Sequence, residues 1–405
     1  PGVPSPAALA DAVAAQGGIL FARSAKVGRH TYAGRGFLAR NTDFTDGEAV
    51  DDRGYLTVEH WVMSKTTAGN PVPKPAEGVT RLLVGGVPYR LDALEAAFGA
   101  ELFGGHGAAW PLAKILDIGG IPVAPSFAPD APEVPPIPCH VHNGDVVDGK
   151  VVGPGKLEAY FFPPLDVPPY NMELPPVKTR LGVNPTHSRE AVLGAVEAFG
   201  ETDVLYSMLN EYTVAPNEGW TIETGVIHAP GPYPTFEIQL PQDDFNLLAW
   251  QLGQRIPPER AGAERERSLL RGCADCGHLV AAMVDWERTS DPEFEAKYRH
   301  PMTALDDGAF GRRTRIFHGR FYGEALHVLP GQTYARPGGA GGVPFACLVW
   351  SGEGSVNGQR VSAAVEDREG RQEFLVTPGC EVFEVACTGV SELIVYSFWP
   401  LDYSP

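Results

Sequence analysis

The chain has 405 residues, and its 32 Lys and Arg against 50 Asp and Glu leave a formal net charge of −18. No basic stripe of the kind that neutralises nucleic-acid phosphates is visible, and no apolar run approaches the roughly 18 residues that span a bilayer. Gly (47) and Pro (38) make 85 of 405 positions, about 21%, while hydrophobic residues still reach 43%, a mixture that suits a folded chain of many short strands.

The first predicted element is a short helix with Ser5 as N-cap and Pro6 at its first turn, stopping at Gly17-Gly18. This stretch, broken by Asp11 and Gln16 and lacking basic residues ahead of it, makes a poor signal peptide. Strand-like runs follow from Ile19 to Arg90, among them Tyr55 to Met63 and Thr80 to Val84, before a helical spacing over Leu91 to Phe103. Ile121 to Pro138 is dense in Pro and reads as an extended loop. A strand bearing His140 and His142 comes next, then a helix over Thr186 to Phe199 capped by Thr186 or Ser188, then short strands from Asp203 to Leu248.

Charged, largely helical sequence such as Glu264 to Arg271 and Asp291 to Tyr298 forms a connector, after which strands resume, separated by turns such as Pro330-Gly331 and Asn357-Gly358. The expected fold is mainly β, with two jelly-roll barrels and a helical connector. The expected division is an N-terminal metal-binding domain with added helices over 1–255, the connector over 256–312 and a metal-free barrel over 313–405. Six Cys in a chain of this length do not form a disulfide framework, so free thiols and a cytoplasmic location are expected.

The sharpest chemical signal is Cys139-His140-Val141-His142. Alternate residues of a strand share a face, so His140 and His142 aim into one site. Glu158 follows His142 by 16 residues, sharing a strand face with Lys156, and His228 ends a turn that begins at Gly225. Three imidazoles and a carboxylate suit Zn²⁺, Mn²⁺ or Fe²⁺ with open positions for substrate. An isolated His-x-His pair is more often incidental; the grouping of all four residues among strands gives the site its weight.

Trp110 to Asp117 (Trp-Pro-Leu-Ala-Lys-Ile-Leu-Asp), then a loop and His140-Val141-His142, resembles type I phosphomannose isomerases, in which Pro-Leu-Leu-Val-Lys-Leu-Leu-Asp precedes Gln-x-His. Lys156-Leu157-Glu158 is similar to the family's Lys-Pro-Glu, and Gly225 to Ala229 to its Gly-x-x-His-Ala, with Glu237 nine residues after His228 as in the family. Glu59-His60-Trp61 and Ser64 resemble its Gly-Glu-x-Trp-x-x-Ser, and Leu102-Phe103-Gly104 its Leu-Phe-Gly. The matches run collinearly from about residue 58 to 245, and the last ninety residues resemble the family's metal-free C-terminal cupin.

The resemblance implies a bicupin isomerase that interconverts an aldose and a ketose of a sugar or sugar phosphate through a cis-enediol. It implies one divalent metal, zinc first, on His140, His142, Glu158 and His228, with Glu237 or Lys156 moving the proton and Lys114 on the substrate side. Two departures stand out. His140 replaces the family's Gln, and the family's phosphate-side Arg is missing after Gln239 to Asp244, where only Arg255 lies nearby at a different spacing.

For Lys114 the plainer alternative is a snorkelling side chain, for Lys156 a structural salt bridge, and for Glu237 a solvated carboxylate. Cys273 and Cys276 form a single Cys-x-x-Cys without a second pair, better read as two free thiols than as a zinc knuckle. Trp61, Trp110, Trp220 and Tyr233 suit either a sugar pocket or the core. Two other functions stay open: a three-His, one-Glu cupin oxygenase or decarboxylase, and a non-catalytic sugar-binding cupin. The expected partner is a small-molecule sugar or sugar phosphate, with no nucleic acid or membrane and an undetermined oligomeric state.

Overall fold

Strand patterns separated by Gly and Pro turns fold here into antiparallel sheets. A computed structural model describes residues 2–23, 25–29, 51–117, 137–142, 144–147, 150–152, 155–174, 176–243, 246–249, 276–339, 342–364 and 371–405. The fold is mainly β, two jelly-roll barrels with helical segments between them. In the first barrel a seven-stranded sheet runs in the order Arg299–Pro301, Glu218–Ile222, Glu158–Phe161, Thr235–Gln239, Leu112–Leu116, Leu56–Val62 and Ala25–Arg29. It meets a five-stranded sheet ordered Leu209–Thr213, Lys178–Val183, His228–Ala229, His140–Val141 and Asn246–Leu247.

The second barrel combines a nine-stranded sheet with a four-stranded one. Three strands of the nine come from the N-terminal part of the chain: Ile19–Arg23 pairs with Glu373–Val376 (Leu20 opposite Leu375) on one side and with Arg81–Val84 on the other, and Arg81–Val84 pairs in turn with Val87–Arg90. From the expected connector, Arg299–Pro301 joins the first barrel and Thr303–Gly308 the second.

The helices begin and end where their caps dictate. Ser5 Oγ accepts from Ala8 N at 3.2 Å and starts Pro6–Ala15; Ser188, rather than Thr186, does the same for Arg189–Glu197 through Ala191 N. Leu91–Phe103 ends on Gly104 in the left-handed conformation. The described part of the connector holds Cys276–Met283, Trp286–Thr289 and Phe294–Tyr298. Glu264 to Arg271 and most of the Pro-rich loop lie outside the described residues.

What positions the site is the two-residue alternation of the Thr235–Gln239 strand. Phe236 and Ile238 point into the main apolar core, where Phe236 packs on Phe317 (5.1 Å between centroids) and Tyr396 (5.6 Å) of the second barrel. Its neighbour Glu237 consequently faces the other way, into the first barrel's interior. Truncating a buried aromatic of this kind typically costs about 3–5 kcal/mol, so this packing fixes the strand's register firmly.

Candidate metal centre

The three imidazoles come from the five-stranded sheet. His140 and His228 sit directly opposite each other on neighbouring antiparallel strands, their ring centroids 4.1 Å apart. His142 lies just past the end of the short His140–Val141 strand, on the same side as His140, as alternation requires (centroids 4.9 Å). Its carbonyl accepts from Gly225 N at 2.7 Å, tying it to the turn that leads into His228. Gly225 has φ +80°, and a Cβ there would meet Asp285 N at 2.7 Å, so the turn requires glycine on both counts.

Backbone carbonyls orient two of the rings. His140 Nδ1 donates to Pro138 O at 2.7 Å and His228 Nδ1 to Val226 O at 2.9 Å. Each bond places the proton on Nδ1 and leaves Nε2 with its lone pair, the usual preparation of a metal-ligating histidine. One nitrogen from each of the three residues falls within 4.8 Å of the others. Burial, reinforced by the two neighbouring imidazoles, holds His140 well below its ordinary pKa; burial and then the Lys156 ammonium lower His142 to about 3. All three rings are buried. His228 Nε2 has no hydrogen-bond partner, a costly state for a buried nitrogen that a cation would relieve.

Glu158 reaches the cluster from the seven-stranded sheet. Its Oε1 lies 3.2 Å from His142 Nε2 and its Oε2 3.6 Å from His228 Nε2. Although burial opposes ionisation, the Lys156 ammonium at 2.6 Å, followed by His142, holds this carboxyl well below the usual range. Tyr160 OH donates to Glu158 Oε2 at 2.8 Å. Three buried imidazoles and an ionised carboxylate make a donor set that fits a divalent cation.

Sheet register brings the next pair together. Tyr160, Glu237, Lys114 and Trp61 occupy one cross-strand row. Lys114 Nζ lies 3.4 Å from Glu237 Oε1. Both are buried, so neither the snorkelling lysine nor the solvated carboxylate describes them. Burial, and after it the charge of Glu158, pushes Glu237 up to about 8. Lys156 contacts Glu158 and, at 3.4 Å, Gln239 Oε1.

The pocket has a further charged group, one that sequence reasoning missed. Arg29 clasps Glu59 with a two-pronged contact (Nε to Oε1 2.8 Å, Nη2 to Oε2 3.0 Å) and donates to Asp243 Oδ1 at 2.7 Å. Despite burial, Arg29 and then Lys114 keep the carboxyls of Glu59 and Asp243 ionised below their ordinary range. These residues, with His140 and His142, line one pocket that is partly open to solvent, and His228 stands against His140 at its edge. Glu59 and Asp243 were visible only inside motif segments, with no role attached; Arg29 carried no local signal.

The remaining candidates lie elsewhere. Trp61 is fully buried behind the pocket, its Nε1 donating to Glu59 Oε2 at 2.8 Å. Trp110, Trp220 and Tyr233 are core residues. In the second barrel His327 pairs with Glu392 at 3.1 Å, and His318 stacks on His300. Cys139, Cys347, Cys380 and Cys387 are free and buried. Cys273 and Arg255 lie outside the described residues, as does the side chain of Cys276.

No protein-family model matches this sequence, and no curated protein matches it either. Solved structures do. The mannose 6-phosphate isomerase from Bacillus subtilis aligns over 94% of this chain and 99% of its own, with TM-score 0.58 and 14% identity. The fold is that of the phosphomannose isomerases. A point mutant of phosphomannose isomerase from Salmonella typhimurium aligns over 94% and 99% with TM-score 0.57 and 11% identity. A zinc-bound mannose 6-phosphate isomerase aligns over 95% and 100% with TM-score 0.56 and 12% identity. Among the described residues no helix is long and apolar enough to cross a membrane.

Proposed function

We propose that this chain is a metal-dependent aldose–ketose isomerase acting on a sugar or sugar phosphate. The observation that carries the reading is one pocket holding both a donor set fit for a divalent cation and a buried carboxyl, Glu237, beside it. The alignment of nearly the whole chain with isomerases of this fold supports it. His140, His142, His228 and Glu158 hold the ion, zinc being the first candidate and manganese or iron the others. Bound there, the ion supplies Lewis-acid polarisation of the substrate's oxygens.

The chain's own residues do the rest. Glu237 carries the proton between C1 and C2 as the sugar passes through a cis-enediol. Its raised proton affinity makes the ionised form a stronger base than a solvated carboxylate. Lys114, 3.4 Å away, stabilises that ionised form and offsets the negative charge that develops on the enediolate. Lys156 is the second candidate for proton transfer, and through Glu158 it fixes the carboxylate's orientation.

The test combines elemental analysis with turnover. Parent protein is expected to carry about one equivalent of zinc, lost in His142→Ala, and to exchange substrate C2 hydrogen with solvent deuterium. Full turnover by metal-loaded Glu237→Gln and Lys156→Ala would remove both from the mechanism. Iron or manganese together with oxygen consumption would point to the oxygenase instead. Absence of metal after reconstitution would leave a sugar-binding protein.

A further inference from the structure

We infer that, if the isomerase reading holds, the pocket takes an unphosphorylated, uncharged sugar, because each described cation lining it is already held by a carboxylate. Arg29 is engaged by Glu59 and Asp243 on the contacts given above and by Asn70 Oδ1 at 3.3 Å. Lys114 faces Glu237, and Lys156 faces Glu158. Three cations against four carboxylates leave this lining at −1 when all are ionised and before the divalent ion is counted, so what opposes a phosphate is the engagement of each cation and not the net charge.

A phosphate monoester brings nearly two negative charges and several strong acceptor oxygens, and it binds where unengaged Arg, Lys or backbone N–H groups converge. Here an incoming phosphate meets Glu59 and Asp243 wherever it approaches Arg29. To reach Nε or Nη2 of Arg29 it must displace a buried carboxylate, which then loses this partner, and at Nη1 it competes with Asn70. The lining residues lie on strands and in loops, with no helix N-terminus among those described.

The same groups suit neutral hydroxyls. Ionised carboxylates accept from sugar O–H groups, and the clamped guanidinium and ammonium groups keep N–H donors in fixed directions. A polyol satisfies both kinds at once without disturbing the ion pairs. This is the chemistry of hydroxyl recognition, in which buried polar groups reject an analogue that cannot pair with them.

The experiment uses the full metal-loaded chain with D-mannose, D-glucose and D-xylose and the terminal phosphate of each, reading ketose formation and C2 deuterium exchange. The expected result is a kcat/KM at least tenfold higher for a free sugar than for its phosphate. The reverse preference, or equality, overturns the proposal and leaves the isomerase reading intact. No turnover with any sugar overturns the isomerase reading, and calorimetric binding then decides this one. A free sugar bound at least tenfold more tightly than its phosphate supports it; any other binding result, including none, overturns it.

A second arm relaxes the clamp on Arg29 with Asp243→Asn, or with Glu59→Gln should the first variant fail to fold. Inhibition or displacement by inorganic phosphate is expected at concentrations at least fivefold lower than for the parent. A folded variant with parental phosphate sensitivity shows that the carboxylates do not exclude the anion, and the proposal falls.

Discussion

Glu237 is where burial, charge and register act on one side chain. Its strand buries Phe236 and Ile238 on one face, which turns Glu237 toward a pocket already holding Glu158. Removing its carboxylate while keeping its shape isolates proton transfer from packing. Glu237→Gln is expected to lose about 10²–10⁴-fold in turnover with metal content unchanged, measured by deuterium exchange beside elemental analysis. The neighbouring Glu158 should behave in the opposite order. Glu158→Gln withdraws an ionised donor and frees Lys156 from its partner, so metal is expected to be lost first and activity with it. Chelator competition, which reads affinity without turnover, separates the two variants.

At the scale of elements, the His-x-His pair and the strand that carries it were legible because their geometry is local: a two-residue period decides which side chains converge. Glu158, His228 and Glu237 were legible through motif order. Arg29 was not, because its clamp with Asp243 closes over 214 positions of sequence, and Arg29 itself lies in an unremarkable run. The strand pattern likewise marked Ile19–Arg23 as β without saying that it pairs across to Glu373–Val376, since edge complementarity between distant strands leaves no periodic trace.

Two predictions belong to this scale. Gly225→Ala places a Cβ against Asp285 N at φ +80° and should cost about 1–3 kcal/mol, read as a lowered unfolding midpoint together with weaker metal binding through the displaced His228. The Arg29 clamp should be acid-sensitive. Glu59 and Asp243 have folded pKa values below their unfolded ones, so their contribution is full above the unfolded values near 4 and is lost as pH falls through the folded ones. Comparing parent with Asp243→Asn in denaturant from pH 6 to pH 3, without metal, should show the steeper loss in the parent. Parallel curves would mean that the clamp does not titrate on unfolding.

Across the whole molecule, one buried carboxylate adds a polar tie between the two barrels. Glu373, fully buried on a strand of the second barrel, places Oε2 3.0 Å from His60 Nε2 and accepts the Met63 amide on Oε1 at 2.5 Å. His60 stands beside Glu59 and Trp61 on the Leu56–Val62 strand, so the strand that carries the clamp's carboxylate into the pocket is held from behind by the second barrel. The shared sheet formed through Ile19–Arg23 and the aromatic contacts of Phe236 bind the same two halves. With N-terminal strands built into the second barrel's sheet, an apolar core in common and a buried polar tie, neither barrel has an interface along which to melt alone. Calorimetry should therefore show one cooperative transition. Glu373→Ala leaves the Met63 amide without this acceptor and takes a partner from His60, and is expected to cost about 3–5 kcal/mol. That loss should move the single transition down intact. If the variant instead split into two transitions, the tie at Glu373 would be what couples the barrels, and the shared strand and aromatic core would be insufficient without it.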